Sequence, residues 1–305
     1  MSMLANVTKG KIYRPMNILL YGPGGIGKST FAAKAPSPIF LTAEEGTDLL
    51  DVTRFPAPKT YEDVVACLNE LATAQHDYKT IVVDSLDWIE PLIFDAVCRK
   101  SGVKSIELAA GGFGKGYGEA ALEWAKFRQL LNVLREKRGM NIILLAHPKI
   151  EKFTNPQTQI SYERYELKLD KRVKGTFMEW VDGMFFVAYA SYTKRENDVV
   201  KSFSTDQRVM YSSWKDGYDA KNRYGIVDPI DLSLSWEDFV AACNMAPKLP
   251  PMIDLVSEIE TMIPKIKDEV ILAKIEDHMN KAKGSSDVKA MVALRNRIIE
   301  LTKEH

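Results

Sequence analysis

One nine-residue segment has the residue types and spacing of a phosphate-binding loop. GPGGIGKST matches the pattern G-x-x-x-x-G-K-[ST], with an apolar run before it and a helix-forming run after it. Its glycines let the backbone wrap around phosphate with the N–H groups pointing inward. Lys28 is placed to bridge the β- and γ-phosphates, and Ser29 to ligate Mg²⁺. We predict a site for ATP or a similar nucleotide made of Gly22, Pro23, Gly24, Gly25, Ile26, Gly27, Lys28, Ser29 and Thr30.

A carboxylate at the end of a later apolar run suits the same metal. The run KTIVVDS ends in Asp84 and Ser85, and a strand of this kind presents its terminal aspartate beside the Mg²⁺. The alternative is that Asp84 caps the helix that begins at Leu86, a role that Ser85 or Asp87 could equally serve. The phosphate loop favours the metal role for Asp84.

The general base is expected on a different strand. Many ATPases place a glutamate directly after the metal-linked aspartate, but this chain has Ser85 there. The run IFLTAEEGTDLL follows the phosphate-loop helix, and in a parallel sheet its carboxyl end opens on the same crevice. Glu44 or Glu45 could there orient and deprotonate the attacking water. The alternative is a pair of solvated loop carboxylates.

A histidine ends a further apolar run. MNIILLAHPK places His147 at the end of a strand, where a polar group could contact the γ-phosphate. A lone histidine is more often structural, and spacing alone leaves both roles open.

The elements that would position these residues alternate along the chain. Five apolar runs typical of buried parallel strands are separated by helical patterns at Lys28–Lys34, Tyr61–Gln75, Leu86–Lys100 and Glu119–Arg138. This alternation predicts an α/β fold with a mainly parallel sheet flanked by helices. After Ala190 the pattern changes to polar turns between β-formers, which predicts an antiparallel extension.

Three parts are expected along the chain. Residues 1–243 form the α/β domain, 244–252 a proline-rich linker, and 253–305 a small helical region with apolar residues at i, i+3 and i+4. These C-terminal helices carry no chemical signature. A packed lid, an oligomerisation element and a docking site for another replication or recombination protein, such as a single-strand-binding protein, are all open.

Composition limits the class of protein. The 305 residues carry 41 basic and 41 acidic side chains, which argues against a polybasic binder without excluding a local basic stripe. Three separated cysteines disfavour a zinc site or a disulfide framework. No secretion signal or membrane-spanning run is expected, so we predict a cytoplasmic protein with no membrane partner.

Together these segments resemble the RecA-like ATPase superfamily. IFLTAEEGTD is similar to the strand that carries the catalytic glutamate, which implies Glu44 rather than Glu45, and IVVDSLDWIEP resembles the family's Val-Val-Asp-Ser strand. IILLAHP lies where relatives end a strand in glutamine or histidine, which implies that His147 couples the γ-phosphate to DNA-binding loops. The resemblance covers Met16–Phe239 and is nearest to phage ATPases that act in single-strand annealing or recombination. It implies a RecA-like core.

The segment KNRYG resembles a late core segment of DnaB-type helicases. In that family two cations reach the ATP of the neighbouring subunit, which implies the same for Lys221 and Arg223. Such cations stabilise charge on the transferring phosphoryl group. The resemblance therefore implies a homo-oligomer, either a ring or a filament. The alternative is a hairpin turn with exposed cations.

Two segments are candidates for contact with single-stranded DNA. LAAGGFGKGYGEA combines glycines with Phe113, Lys115 and Tyr117, which suits base stacking and phosphate contact. ELKLDKRVKGT lies where RecA relatives carry a second DNA loop. For the first segment the alternative is a mobile lid, and for the second it is a solvated charge run. The basic candidates of the second segment are Lys168, Lys171, Arg172 and Lys174.

The predicted function is a DNA-stimulated ATPase acting on single-stranded DNA in phage recombination, by annealing or strand exchange. A DnaB-like motor is the first alternative, although no primase-binding domain is expected before the core. The second is a nucleotide-gated adaptor that recruits a partner. An AAA+ loader is disfavoured, because Ser85 occupies its usual glutamate position.

Overall fold

The computed structural model describes Val7, Lys9 and residues 14–42, 47–196, 199–244, 252–266, 268–285 and 287–303. The chain divides into two compact units, Met1–Asn244 and Met245–His305. Most of the predicted linker, 245–251, lies outside the described residues, so the three-part division stays a prediction.

A mixed sheet forms the centre of the first unit. The described strands of this unit are β1 (Asn17–Tyr21), β2 (Pro38–Thr42), β3 (Thr53–Arg54), β4 (Thr80–Asp84), β5 (Asn141–Ala146), β6 (Pro148–Thr154), β7 (Ser161–Leu167), β8 (Gly183–Glu196), β9 (Val199–Tyr211), β10 (Lys221–Asn222) and β11 (Ile230–Asp231). β6 and β7 form a separate hairpin, and the other strands lie in the order β11-β9-β8-β1-β5-β4-β2-β3, with β10 paired to β8. The pairs from β8 to β3 are parallel, whereas β9, β10 and β11 pair antiparallel.

Helices cover both faces of this sheet. Alternate side chains of β1 enter two different cores, because neighbouring strand residues point to opposite faces. The helices of this unit are α1 (Lys28–Ala32), α2 (Tyr61–Thr73), α3 (Leu86–Ser101), α4 (Lys115–Lys137), α5 (Lys171–Trp180) and α6 (Trp236–Asn244). Leu19 lies in the core that includes residues of α2 to α5, and Leu20 lies in the core that includes residues of α1 and α6.

The predicted fold class is confirmed. All five apolar runs form strands of the sheet, with parallel pairing at its centre, and β8 and β9 form the antiparallel extension. The helices α1 to α4 begin where predicted and end within about two residues of the predicted ends, except that α4 begins at Lys115 rather than at Glu119. Because the first turn of α4 contains Gly116 and Gly118, which are poor helix formers, its composition favoured a loop.

The hairpin of β6 and β7 was not predicted. It follows His147 directly and pairs in register from Pro148 opposite Leu167 to Thr154 opposite Ser161. The alternation of SYERYEL has the two-residue period of a half-buried strand. In the structure Arg164 of this hairpin is buried and forms an ion pair with Asp219.

The second unit is a small helical bundle. α7 (Met252–Met262), α8 (Glu269–Ser285) and α9 (Val288–Lys303) pack around an apolar core that includes Leu255, Ile275 and Met291. Asp287 caps α9, since its side-chain carboxylate accepts the backbone N–H of Ala290 at 3.0 Å.

Candidate active site

The phosphate loop connects β1 to α1 and depends on two glycines. A Cβ at Gly22 would lie 2.2 Å from the carbonyl oxygen of Val187 in β8, so a larger residue would push these strands apart. Gly27 has φ 106°, in the left-handed region that glycine tolerates. The sequence therefore sets the loop's shape at both ends.

Lys28 is buried at the base of this loop. Only 5% of the residue is exposed, and its Nζ donates to the carbonyl oxygens of Gly22 and Pro23 at 2.7 and 3.0 Å. The ammonium group is thus held against the loop backbone, within the cavity that the loop encloses. A cation in this position attracts the phosphates of a nucleotide.

Ser29 and Asp84 form the candidate metal site. The Ser29 hydroxyl donates to Asp84 Oδ2 at 2.6 Å, and Asp84 is buried at the carboxyl end of β4. Among the described residues, no cluster of three or more His, Cys, Asp or Glu side chains converges as a protein-only metal site would. A hydroxyl and one carboxylate instead fit Mg²⁺, which commonly binds through one or two carboxylates together with substrate phosphates and water.

The predicted base lies outside the described residues. Glu44 and its alternative Glu45 fall in the segment 43–46. The strand that leads to them ends at Thr42, which pairs in register with Asp84. The chain therefore leaves β2 beside the candidate metal ligand.

His147 is held by the carboxylate of Asp87, for which the sequence suggests only a helix-capping role. Asp87, in the first turn of α3, accepts the backbone N–H of His147 at 3.0 Å and lies 3.1 Å from its ring Nδ1. Burial by itself raises the pKa of Asp87, but the hydrogen bonds from His147 and Ser85 outweigh it, so the pKa lies below its ordinary value. The signal for Asp87 in the sequence was a second carboxylate three residues after Asp84.

These side chains share one cavity. It has a volume of about 230 Å³ and joins the ends of β4 and β5 to the phosphate loop. Lys28, Ser29, Asp84 and His147, which come from three separate stretches of the sequence, therefore line the same cavity. The remaining lining residues are Gly24, Gly25, Gly27, Thr30, Thr47, Leu49 and Leu50.

The two candidate DNA segments contact each other. Phe113 is 99% exposed in the turn before α4, and Lys115 and Tyr117 lie in the first turn of that helix. The guanidinium of Arg172 lies 4.8 Å from the centre of the Tyr117 ring. An aromatic ring and a cation from both segments thus form one surface.

The second segment is mostly helical, which corrects the predicted loop. Lys171, Arg172 and Lys174 lie in α5, because the side chain of Asp170 accepts the backbone N–H of Arg172 at 2.9 Å and starts the helix there. Lys168 precedes the helix, with its Nζ 3.7 Å from Asp87. The same carboxylate therefore contacts both His147 and the start of this basic segment.

Lys221 and Arg223 lie beside the C-terminal end of α5. The Nζ of Lys221 donates to the carbonyl oxygens of Met178 and Glu179, while Arg223 donates to the Glu179 carbonyl at 3.0 Å. Arg223 also forms an exposed ion pair with Asp182 at 3.2 Å. Burial, followed by the charge of Arg223, lowers the pKa of Lys221. Both cations point the same way, as expected for alternate residues of an extended segment.

The fold and the phosphate loop define the class of protein: a P-loop ATPase with an α/β core. Residues 14–224 match a family model described as an AAA domain, AAA_24, and the chain belongs to this family.

Two further similarities were found. One relative is the SPbeta prophage-derived uncharacterized protein YorG of Bacillus subtilis (strain 168), which is 24% identical to this chain over 155 residues. The matched segment is half of this chain and 45% of the length of YorG. A solved structure of the RadB recombinase aligns with 63% of this chain and 88% of its own, at 12% identity and a TM-score of 0.35. The second similarity is too slight to carry a function. In the described part of the chain, no helix is both long and apolar enough to cross a membrane.

Proposed function

We propose that this protein hydrolyses Mg²⁺-ATP while acting on single-stranded DNA, in phage-type recombination by annealing or strand exchange. The observation that carries the proposal is the cavity shared by Lys28, Ser29, Asp84 and His147. Together they supply a phosphate-binding cation, two metal-binding oxygens and a polar group able to contact the γ-phosphate.

Each residue has a separate role in this proposal. Lys28 leaves the loop carbonyls to bridge the β- and γ-phosphates, while Ser29 and Asp84 hold the metal. A Mg²⁺ ion held there would supply positive charge to neutralise the charge that develops on the phosphate oxygens. Glu44 orients and deprotonates the attacking water, a role supported by the pairing of Thr42 with Asp84 at the end of its strand.

His147 is proposed to report the γ-phosphate to the DNA-binding surface. Its contact with Asp87 supports this role, because Asp87 also lies near Lys168 at the start of the basic segment. A change in the position of the ring would therefore disturb a carboxylate that both elements share.

DNA is proposed to lie along the surface formed by Phe113, Lys115, Tyr117 and the cations of α5. The exposed Phe113 ring offers a face for base stacking, and Lys171 and Arg172 are exposed for phosphate contact. The phage setting is supported by the prophage relative, and it would place the protein in the cytoplasm of the host cell.

Assembly into a ring or filament is proposed to complete the site. Lys221 and Arg223 would reach the nucleotide of a neighbouring subunit and stabilise charge in the transition state. The ion pair of Arg223 does not oppose this, because the Arg223 side chain is 58% exposed and exposed pairs contribute only about 0–1 kcal/mol.

Two other functions remain as alternatives, and an annealing assay together with an unwinding assay separates them. An annealing protein joins complementary strands under conditions in which no duplex is unwound. A DnaB-like motor unwinds a forked duplex only with hydrolysable ATP, and an adaptor or loader recruiting a partner through α7 to α9 does neither. The AAA description of the family keeps the loader among these alternatives, although Ser85 follows Asp84. Unwinding without annealing would replace our proposal with the motor.

A further inference from the structure

A second carboxylate of α3 holds the start of α5. Glu90 Oε1 accepts the backbone N–H of Asp170 at 2.8 Å, and Asp170 is the residue that caps α5. Glu90 follows Asp87 by three residues in the same helix, so the two side chains lie on one face. Asp87 contacts His147 at the end of β5. One face of α3 therefore holds both the end of β5 and the start of α5.

These two parts of the chain also contact each other. The hairpin of β6 and β7 leaves from His147 and ends at Leu167. The backbone N–H of Lys168 then donates to the carbonyl oxygen of His147 at 3.0 Å. Asp170 follows two residues later. The start of α5 is thus held by Glu90 and by a strand end that lines the phosphate cavity.

The same start of α5 positions a cation of the proposed DNA surface. Asp170 accepts the backbone N–H of Arg172 at 2.9 Å, and its carboxylate lies 3.4 Å from the Arg172 guanidinium. That guanidinium lies 4.8 Å from the centre of the Tyr117 ring. A displacement of Asp170 would therefore move Arg172 relative to Tyr117.

The contact of Glu90 depends on the reach of its side chain more than on its charge. Glu90 is partly buried, and burial raises its pKa by more than the hydrogen bond from Asp170 lowers it. A backbone N–H needs only an acceptor oxygen, which the amide of glutamine also supplies at the same side-chain length. An aspartate keeps the charge, but its oxygens are withdrawn by one methylene.

We propose that Glu90 is a positioning residue that couples the phosphate cavity to the DNA surface by holding the start of α5 against the end of β5. The inference rests on the proposed function and names the contact through which nucleotide binding would change the affinity for single-stranded DNA. Coupling between two binding sites is reciprocal, so it is measurable from DNA affinity alone, without hydrolysis.

Two variants of the same residue separate reach from charge. Glu90→Gln keeps the acceptor oxygen and removes the charge, whereas Glu90→Asp keeps the charge and withdraws the oxygen. Glu70→Asp makes the same shortening at an exposed position of α2 and is the matched control. Fluorescence anisotropy with a labelled single-stranded oligonucleotide would give each affinity with and without saturating Mg²⁺-AMP-PNP, an ATP analogue that is not hydrolysed. Denaturant unfolding would compare the folding of the variants.

We expect AMP-PNP to change the DNA affinity of the wild type by at least about fivefold. Glu90→Gln and Glu70→Asp should keep this ratio, and Glu90→Asp should bring it close to one while remaining folded. A full ratio in Glu90→Asp, or an equal loss in Glu90→Gln, would show that the inference is wrong and would leave the proposed function standing. An unchanged DNA affinity in the wild type would instead overturn the proposed link between nucleotide and DNA, and the inference with it.

Discussion

The carboxylate of Asp87 accepts the backbone N–H of His147 at 3.0 Å and lies 3.1 Å from its ring Nδ1. An ionised carboxylate only accepts hydrogen bonds, so Nδ1 carries a proton and donates to Asp87. Nε2 is then the ring nitrogen that can contact a ligand. A singly protonated ring would then accept at Nε2. Donation from Nε2 to a phosphate oxygen requires the doubly protonated imidazolium.

Replacing Asp87 with asparagine should lower stability in a pH-dependent way. Hydrogen bonds to a buried charged group are worth about 1.5–3 kcal/mol, so we expect a loss of this size in the free energy of unfolding at pH 7. The folded-state pKa of Asp87 is lowered, so its contribution is present above the ordinary aspartate pKa and is lost as the pH falls through the folded-state value.

Denaturant unfolding of wild type and Asp87→Asn at several pH values would measure this difference, which should shrink below about pH 4. Asp95→Asn is the control, because Asp95 lies on the exposed face of the same helix in an ion pair with Arg99, and exposed pairs contribute about 0–1 kcal/mol. A difference that stays constant down to pH 2 would contradict the role given to the charge of Asp87.

Replacing Asp84 with asparagine should weaken the binding of Mg²⁺ at the active site. The side chain keeps its size and can still hydrogen-bond to Ser29, but it loses the charge that attracts Mg²⁺. We expect the Mg²⁺ concentration for half-maximal ATP turnover to rise by at least about tenfold. ATP turnover measured across a Mg²⁺ titration would show this, and an unchanged midpoint would exclude Asp84 from the metal site.

Removing the Phe113 ring should weaken binding to single-stranded DNA without affecting folding. Stacking of one base contributes about 1–3 kcal/mol, so affinity should fall by roughly 5- to 150-fold. Val227→Ala, at another exposed apolar position, is the matched control. Fluorescence anisotropy with a labelled oligonucleotide gives both affinities, and equal binding by the two variants would remove Phe113 from the DNA surface.

Mixing two inactive variants should restore ATPase activity. Lys28→Ala lacks a working phosphate loop, and Arg223→Ala lacks the proposed cation, whose loss should reduce turnover by about 10³–10⁵-fold. In a mixed oligomer some interfaces pair an intact loop with an intact Arg223. If the mixture stays inactive while each variant still assembles, Arg223 does not act on a neighbouring subunit.

The sequence predicted the fold and much of the cavity, because both depend on local patterns. Continuous apolar runs end in Asp84 and His147, and the parallel strands β4 and β5 place those ends side by side. The phosphate loop was evident for the same reason, since its glycines and Lys28 are close together in the chain.

Features built from distant residues could not be predicted in this way. The contact of Asp87 with His147 spans 60 positions, and that of Glu90 with Asp170 spans 80 positions. The helical position of Lys171 and Arg172 was missed, because a run of charges fits a loop and the surface of a helix equally well.

The most direct test of the central claim is the rate of ATP hydrolysis with and without single-stranded DNA, measured across protein concentration. We expect turnover that requires Mg²⁺, increases with DNA and rises per subunit with protein concentration as interfaces form. Lys28→Ala should abolish this turnover, while Lys100→Ala, at an exposed position on α3, should leave it unchanged. Hydrolysis that single-stranded DNA does not stimulate at any protein concentration would contradict the account.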